Sequence, residues 1–170
     1  MVVFLVGYAG SGKSSLGKRL SRRLGIRYVD TDKLVELNEG ASIADIFYYE
    51  GEEYFRMAER RAVETLLESG DDLIVATGGG LPTWRDNMQL LIDHGTTIYL
   101  RRSAEQILSR LSDYGRQKRP MFRDKSDEEL LEFMNKQMAE REIFYSKARL
   151  SVDCTTRSDD EVVEYVVENL

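Results

Sequence analysis

The sequence predicts an α/β fold, a three-layer sandwich in which helices cover both faces of a five-stranded parallel sheet. Short apolar segments alternate along the chain with segments of helical period. The five strand candidates are Val2–Val6, 27–29, 73–77, 96–100 and Leu150–Asp153. A helix that joins two strands carries the chain back to the end of the sheet at which the first strand began, so the two strands run parallel. The length of 170 residues fits one domain, and we expect residues 1–170 to form a single unit.

A glycine-rich loop joins the first strand to the first helix. Residues 7–14 read Gly-Tyr-Ala-Gly-Ser-Gly-Lys-Ser and fit the phosphate-binding pattern G-x-x-x-x-G-K-[ST]. Such a loop turns its backbone N–H groups toward phosphate oxygens, and the helix N-terminus adds partial positive charge. In this pattern the lysine reaches the β- and γ-phosphates and the serine hydroxyl binds Mg²⁺. We therefore predict binding of ATP or GTP with Mg²⁺ through Gly10, Ser11, Gly12, Lys13, Ser14 and Ser15.

Two aspartates follow the second strand. Asp30 and Asp32 precede a helical segment that extends to about residue 38. Many phosphate-loop proteins place a Mg²⁺-directing aspartate at the end of a buried strand, whereas strand 73–77 ends in threonine and glycine. We therefore expect one aspartate to orient Mg²⁺ and the other to face the phosphoryl acceptor. For the metal we expect the pair Ser14 and Asp30. The alternative is that both aspartates only cap the helix.

Helix start and stop signals fill the intervals between the strands. They predict helices over 14–24, 31–38, 42–47, 52–69, 83–94, 103–111, 126–147 and from 158 onward. Four of these begin with a serine followed three positions later by Asp, Glu or Gln, which is typical of a helix cap. Residues 113–125 have no apolar period and carry basic side chains, so we expect a mobile loop there.

Further candidate residues lie near the carboxyl ends of the strands, where ligands bind in open α/β sheets. Gly78, Gly79 and Gly80 either form a plain turn or let their N–H groups approach a ligand closely. Arg56 and Glu59 are three positions apart on one helix. They form either a surface ion pair or one edge of a substrate pocket.

Arg141 lies in the apolar stripe of its helix. A half-buried guanidinium needs an anion, and it holds a carboxylate or phosphate through two parallel hydrogen bonds. Either a ligand or a structural partner such as Glu59 or Asp32 supplies that anion. In the basic loop, Arg119 is the candidate for the side chain that reaches the transferring phosphoryl group, unless the loop is only a solvated basic face. Arg110, on the preceding helix, is the candidate for stacking on adenine.

Composition narrows the class of protein. The formal net charge of -6 argues against a general nucleic-acid binder. With one cysteine and one histidine, Cys154 and His94, the chain has no disulfide and no metal cluster built on these residue types. We expect Cys154 to be a small buried residue and His94 to lie at a helix C-terminus. Neither a secretory signal nor a membrane span is visible, so we expect a cytoplasmic monomer without membrane contact.

Together these motifs resemble the shikimate kinases, a family of nucleoside-monophosphate-kinase-like P-loop kinases. The resemblance covers about residues 2–153. Beside the phosphate-binding loop it rests on Asp30-Thr-Asp32, Ser42-Ile-Ala-Asp-Ile-Phe47, Phe55-Arg56-x-x-Glu59, Thr77-Gly-Gly-Gly80, Arg119-Pro120 and Arg141-x-x-x-Tyr145. It implies transfer of the γ-phosphoryl group of ATP to the 3-hydroxyl of shikimate, in the chorismate pathway to aromatic amino acids.

The resemblance also implies roles for particular residues. Asp32 would hold the acceptor hydroxyls and accept a proton, and Arg56 and Arg141 would clamp the shikimate carboxylate. The glycines at 78–80 would donate backbone N–H groups to the substrate. Phe47 and Phe55 would pack around its ring, Arg119 would be the lid arginine, and residues 152–155 would flank adenine. A substrate-binding subdomain would span about 31–60, and a lid about 112–125.

The chain departs from the family pattern at two packing positions. Met121-Phe122 stands where Leu-Leu is common in the lid, and Ile143-Phe144 stands where Pro-Leu is common before Tyr145. These replacements are apolar, so we expect altered lid packing rather than lost function.

Two other functions fit part of the pattern. A gluconate kinase has a similar polyol-acid acceptor, but the paired aspartates and Arg56-x-x-Glu59 favour shikimate. An ATP-binding regulatory module without turnover could dispense with an acceptor aspartate and a carboxylate clamp, and this chain has both.

Overall fold

A computed structural model describes residues 1–111, 115–116 and 119–170 of the chain. Its five strands form one sheet in the order β2-β3-β1-β4-β5, and every neighbouring pair is parallel. The strands are β1 Val2–Val6, β2 Arg27–Asp30, β3 Leu73–Ala76, β4 Thr96–Arg101 and β5 Leu150–Asp153. The predicted five-stranded parallel sheet and α/β fold class are therefore confirmed.

Eight α-helices lie in the part of the chain that the structure describes. In chain order they are α1 Lys13–Leu24, α2 Thr31–Glu39, α3 Ile43–Glu50, α4 Glu52–Glu68, α5 Asn87–His94, α6 Ala104–Arg110, α7 Asp127–Tyr145 and α8 Asp159–Glu168. Two 3-10 turns, Leu81–Thr83 and Pro120–Phe122, complete the regular structure. Among the residues described, no helix combines the length and apolar character needed to cross a membrane.

The alternation of side chains along β1 separates two main core clusters. Val3 and Leu5 pack with α1 and α8 on one face of the sheet, whereas Phe4 and Val6 pack with α4 and α5 on the other. This is the period of two expected for a strand covered on both faces. After β1 the chain passes to one face, and after β3 it passes to the opposite face. This divergence opens a crevice between the carboxyl ends of two neighbouring strands, where ligands bind in such sheets.

Two smaller core clusters lie beside the sheet. One joins α2, α3 and α4 through Val35, Ile46, Phe55 and neighbouring alanines. The other joins the phosphate-binding loop, α6, α7 and the second 3-10 turn through residues that include Tyr8 and Phe122. The crevice therefore has a packed group of helices on each side.

The helix predicted over 83–94 is wrong at its start. A 3-10 turn precedes an irregular stretch, in which Arg85 has a φ of +49°, and α5 begins only at Asn87. The left-handed backbone at Arg85 interrupts helical hydrogen bonding. The amide of Asn87 then closes the turn by donating to the Leu81 carbonyl at 2.9 Å.

Other predicted boundaries hold or move by a few residues. Helix α3 extends three residues beyond the predicted end at Phe47, to Glu50. All four serine caps accept a backbone N–H three residues later; they are Ser42, Ser103, Ser126 and Ser158. The predicted burial of Cys154 and the place of His94 at a helix C-terminus are confirmed.

Candidate active site

Two glycine-rich loops meet at the centre of the crevice. The phosphate loop, residues 7–14, follows β1, and the glycine triplet, residues 78–80, follows β3. A Cβ placed on Gly79 would lie 3.2 Å from the backbone nitrogen of Ala9 and 3.7 Å from the Gly7 carbonyl oxygen. The two loops therefore approach each other closely, and a side chain at residue 79 would require its neighbours to shift by a few tenths of an ångström.

The phosphate loop holds the conformation that an anion site needs. Gly7, Gly10 and Gly12 all have positive φ values, of 149°, 81° and 101°. The Lys13 ammonium donates to the carbonyls of Gly7 at 2.6 Å and Tyr8 at 2.9 Å. Burial lowers the pKa of Lys13 to about 7, against the opposing attraction of Asp32. A phosphate anion would offer this amine a stronger partner than the carbonyls it holds.

The nucleotide side of the crevice contains an arginine to which the sequence analysis gave no role. Arg102 is almost buried, and its Nε donates to the Ser11 carbonyl at 2.8 Å. Its Nη2 lies 3.5 Å from the Asp159 carboxylate. The same carboxylate lies 3.8 Å from Arg110, the residue predicted to stack on adenine. The arginine pair flanks Gly12. The position of Arg102 directly after β4 was the available sequence signal, because strand ends line such sites.

Asp30 caps α2, as one alternative expected, and its side chain also faces the phosphate loop. One carboxylate oxygen caps α2, accepting the N–H groups of Asp32 at 2.9 Å and Lys33 at 3.3 Å. The other oxygen lies 3.4 Å from the Ser14 hydroxyl. A hydroxyl beside a carboxylate suits Mg²⁺, which prefers oxygen ligands and completes its shell with waters and phosphates. No cluster of three or more His, Cys, Asp or Glu residues suited to a metal occurs among the described residues.

Asp32 lies one position into α2, and its side chain turns toward the glycine triplet. A Cβ on Gly78 would lie 2.6 Å from the Asp32 carboxylate. Burial raises the pKa of Asp32 to about 6, assisted by the charge of Asp30 and opposed by Lys13 and Arg56. The group is therefore mostly ionised near neutral pH and able to accept a proton.

Each glycine of the triplet lies against charged side chains. A Cβ on Gly78 would also lie 2.7 Å from Glu59, and one on Gly79 would lie 3.2 Å from an Arg141 nitrogen. On Gly80 the same atom would be only 2.3 Å from an Arg56 nitrogen. The triplet is thus surrounded by both predicted arginines and by carboxylates, and it is not a plain solvent turn.

The Arg56–Glu59 pair is not the surface ion pair that one interpretation expected. Glu59 is fully buried, and its Oε2 accepts from Arg56 at 2.7 Å. Its Oε1 has no hydrogen-bond partner within the described part of the chain. Burial raises the pKa of Glu59 to about 7, against the attraction of Arg56. An unsatisfied buried carboxylate is costly, which is typical of functional sites.

Arg141 reaches the triplet from α7. Its guanidinium lies 5.6 Å from the centre of the Tyr8 ring, and its charge opposes the rise that burial causes in the pKa of the Tyr145 hydroxyl. The Tyr145 hydroxyl in turn donates to the Gly79 carbonyl at 2.5 Å. The structural partners considered for Arg141, Glu59 and Asp32, form no ion pair with it in the described structure. Within the described residues, Arg141 therefore lies near two tyrosines and has no ion-pair partner.

The two predicted ring-packing residues differ in exposure. Phe47 and Phe55 are in contact, with ring centroids 4.8 Å apart. Phe55 is buried in the core of α2–α4, and the Arg56 guanidinium lies 5.3 Å from its ring centre. Phe47 is 37% exposed. Phe55 thus supports the arginine, and Phe47 remains accessible to a ligand.

The predicted lid is described in part. Residues 112–114 and 117–118, which include Lys118, lie outside the described residues. Arg119 donates to the Gly115 carbonyl at 3.1 Å, and its charge acts on both Asp32 and Lys13. Burial lowers the pKa of Arg119. The arginine selected from the sequence therefore lies within electrostatic range of the catalytic candidates.

A family model described as shikimate kinase matches residues 9–170 of the chain, which is nearly its whole length. The chain belongs to the shikimate kinase family. This confirms the resemblance drawn from the motifs and the predicted class of activity, an ATP-dependent phosphotransferase of that family.

Individual relatives agree along the whole chain. The shikimate kinase of Azobacteroides pseudotrichonymphae is 33% identical over 168 residues, covering 99% of this chain and 98% of the relative. That of Geobacter metallireducens is 39% identical over 161 residues, covering 95% of this chain and 87% of the relative.

Solved structures give the same result. The shikimate kinase of Bacteroides thetaiotaomicron superposes with a TM-score of 0.91 at 28% identity, covering 99% of this chain and 97% of that one. The Acinetobacter baumannii enzyme, solved in complex with shikimate, gives 0.87 at 29% identity, with 99% and 91% covered. A Sinorhizobium meliloti gluconokinase gives 0.61 at 17% identity, with 99% and 94% covered, which shows a shared fold alone.

Proposed function

We propose that the protein transfers the γ-phosphoryl group of ATP to the 3-hydroxyl of shikimate, giving shikimate 3-phosphate and ADP. One observation carries this proposal: two arginines and an ionisable aspartate surround the glycine triplet, and the triplet itself lies against the phosphate loop. A polyol acid needs this combination, because its carboxylate must be held while one hydroxyl meets the nucleotide. The A. baumannii relative solved with shikimate supports the choice of acceptor.

Arg56 and Arg141 hold the acceptor carboxylate. Arg56 is fixed by Glu59 and by the Phe55 ring, while Arg141 is fixed by two tyrosines. Two guanidinium groups on one carboxylate set both its position and the rotation of the ring that carries it. The glycine triplet adds backbone N–H groups at the same place, and Phe47 covers the ring.

Asp32 orients the reacting hydroxyl and accepts its proton. With a pKa of about 6 the carboxylate is charged at the pH of the cytoplasm, where we place the enzyme. Phosphoryl transfer passes through a loose transition state and depends more on positioning than on a strong base. A moderately basic aspartate is sufficient for that role.

Lys13 and Arg119 neutralise charge on the phosphoryl group in transfer. The phosphate loop binds the ATP phosphates through Gly10, Ser11, Gly12, Ser14 and Ser15, and Arg110 stacks on adenine. Ser14 and Asp30 would hold Mg²⁺, which supplies charge neutralisation at the β- and γ-phosphates. Residues 31–60 act as a substrate-binding subdomain and residues 112–125 as a lid, on a chain that works as a monomer.

A coupled assay of ADP release tests the function. Purified protein with ATP and Mg²⁺ is offered a panel of hydroxy acids that includes shikimate and gluconate. Stimulation by shikimate at about millimolar concentration, with a KM in the usual enzyme range, is the expected result. Stimulation by gluconate alone would show that the acceptor is gluconate and not shikimate. ATP binding without turnover of any acid would indicate a regulatory module.

A further inference from the structure

Tyr8 belongs to the phosphate loop, but its side chain packs in a different part of the molecule. It is 2% exposed and lies in the cluster formed by Ile107, Phe122, Leu130 and Met134. Only its backbone carbonyl takes part in the lysine contacts of the loop. A buried aromatic side chain of this size fixes the loop relative to α6 and α7.

Beyond this apolar packing, stacking, a hydrogen bond and a cation–π contact join Tyr8 to particular side chains. The Phe122 ring is stacked on it, with centroids 6.2 Å apart and planes inclined by 17°. The hydroxyl donates to Gln137 on α7 at 2.5 Å, and the amide of Gln137 lies 3.6 Å from the Met121 sulfur. The Arg141 guanidinium lies 5.6 Å from the ring centre. Tyr8 therefore connects the phosphate loop, the Met121–Phe122 pair and the carboxylate-binding arginine.

Arg141 has contacts on both sides. Tyr8 offers the negative face of its ring, and Tyr145 offers a hydroxyl that is itself bonded to Gly79. A cation over an aromatic face is attracted by the ring quadrupole, more strongly where water is excluded. With no carboxylate paired to it in the described structure, the guanidinium depends on these two tyrosines for its orientation.

We propose that Tyr8 is a positioning residue for the acceptor, although it lies in the nucleotide loop. Its ring orients Arg141 toward the acceptor carboxylate when the phosphate loop has its nucleotide-binding conformation. Binding of nucleotide and binding of acceptor would then favour each other by the same factor, since such coupling is reciprocal. The inference rests on the proposed function, because it takes the Arg141 ligand to be the shikimate carboxylate.

Substitutions at Tyr8 separate this role from plain support of the phosphate loop. Tyr8→Leu removes the ring, Tyr8→Phe removes only the Gln137 bond, and Tyr8→Met gives a second, flexible replacement in case leucine does not fold. Phe144→Leu is the matched control, because it removes another aromatic ring that has a cation beside it, with Lys147 at 5.8 Å from the ring centre.

The expected result is a change in acceptor affinity from a residue of the nucleotide loop. Tyr8→Leu and Tyr8→Met should raise KM for shikimate by about three- to tenfold and KM for ATP by less than about twofold. Tyr8→Phe and Phe144→Leu should leave both values within about twofold of the wild type. In calorimetric titrations a nonhydrolysable ATP analogue should lower the Kd for shikimate at least about fivefold in the wild type, and this ratio should approach one in Tyr8→Leu.

Other outcomes separate the role of Tyr8 from the proposed function. An equal rise in both KM values, or an unchanged ratio of Kd values in Tyr8→Leu and Tyr8→Met, would show that Tyr8 only supports the loop and would overturn this inference alone. A wild-type protein that does not phosphorylate shikimate would overturn the proposed function, and the inference with it.

Discussion

The phosphate loop and the glycine triplet follow neighbouring strands, yet they need glycine for different reasons. In the phosphate loop Gly7, Gly10 and Gly12 have positive φ, which side chains rarely adopt. In the triplet none of the three glycines has a positive φ; Gly80, for example, has a φ of −90°. There, a Cβ would enter space that charged side chains occupy, and those side chains would have to move.

This difference separates the two halves of the site. The proposed nucleotide half depends on the backbone conformation of the phosphate loop, which a short sequence motif defines. The acceptor half is an arrangement of side chains from α2, α4 and α7 around a small backbone, so it depends on contacts distant in the sequence. Changes to the triplet and its neighbours should therefore affect the acceptor and spare the nucleotide.

The largest effect is expected for Asp32→Asn. Loss of the proton acceptor should lower kcat by about 10²- to 10⁴-fold while the affinity for an ATP analogue changes little. Steady-state assays and a direct binding titration give the two values. Unchanged turnover would remove Asp32 from the mechanism.

The same variant should also be more stable at high pH. The folded-state pKa of Asp32 is raised to about 6, so its protonated form stabilises the fold and this stability is lost as pH rises through 6. Asparagine stays neutral, and the ligand-free Tm should rise by about 2–6 °C at pH 8 and by about half as much at pH 5. The same Tm shift at both pH values would contradict the role of ionisation.

Gly80→Ala should have the next largest effect. The new Cβ would lie 2.3 Å from Arg56, which must move away from the acceptor carboxylate. We expect kcat/KM for shikimate to fall by about 10²-fold, with KM for ATP little changed. Gly70→Ala is the control, since its Cβ would enter open space and only backbone strain at φ +71° would remain. Equal losses in the two variants would show that space around the triplet is not the cause.

Arg141→Lys should have a smaller effect that is again confined to the acceptor. Lysine keeps the charge but lacks the planar pair of donors that matches a carboxylate. KM for shikimate should rise by about tenfold, and the Kd of an ATP analogue should stay within about twofold. A comparable loss of nucleotide affinity would instead place Arg141 in the nucleotide half.

The smallest expected effect is the uptake of a proton by Lys13 when the nucleotide binds. Its pKa is lowered to about 7 by burial, so a large share of the amine is neutral at pH 8, whereas bound phosphates favour the ammonium form. Binding of a nonhydrolysable ATP analogue at pH 8 should take up a fraction of a proton, up to about one. Calorimetry in two buffers of different ionisation enthalpy measures it. Lys13→Met should abolish the uptake; persistence of the uptake would assign the proton to another group.

Much of this site could be predicted from the sequence because its signals are local. The phosphate loop is a contiguous motif, and Arg141 was selected by its place in a helical stripe. Other features depend on which helices pack together, and this cannot be predicted from the spacing of residues within one helix. They are the full burial of Glu59 and the contacts of Arg102, Tyr8 and Tyr145. The left-handed Arg85, which delays α5, has no signal in the pattern of apolar residues.

The direct contact between the two loops, at Ala9 and Gly79, also has a consequence for how substrate choice can change in evolution. In the proposed mechanism one strand-loop-helix unit binds the nucleotide, and a few side chains on other helices bind the acceptor. A descendant of this chain could therefore exchange its acceptor by altering those side chains alone. The junction sets one limit: a side chain at residue 79 would press on the Ala9 backbone and on Arg141, so it would disturb both loops at once.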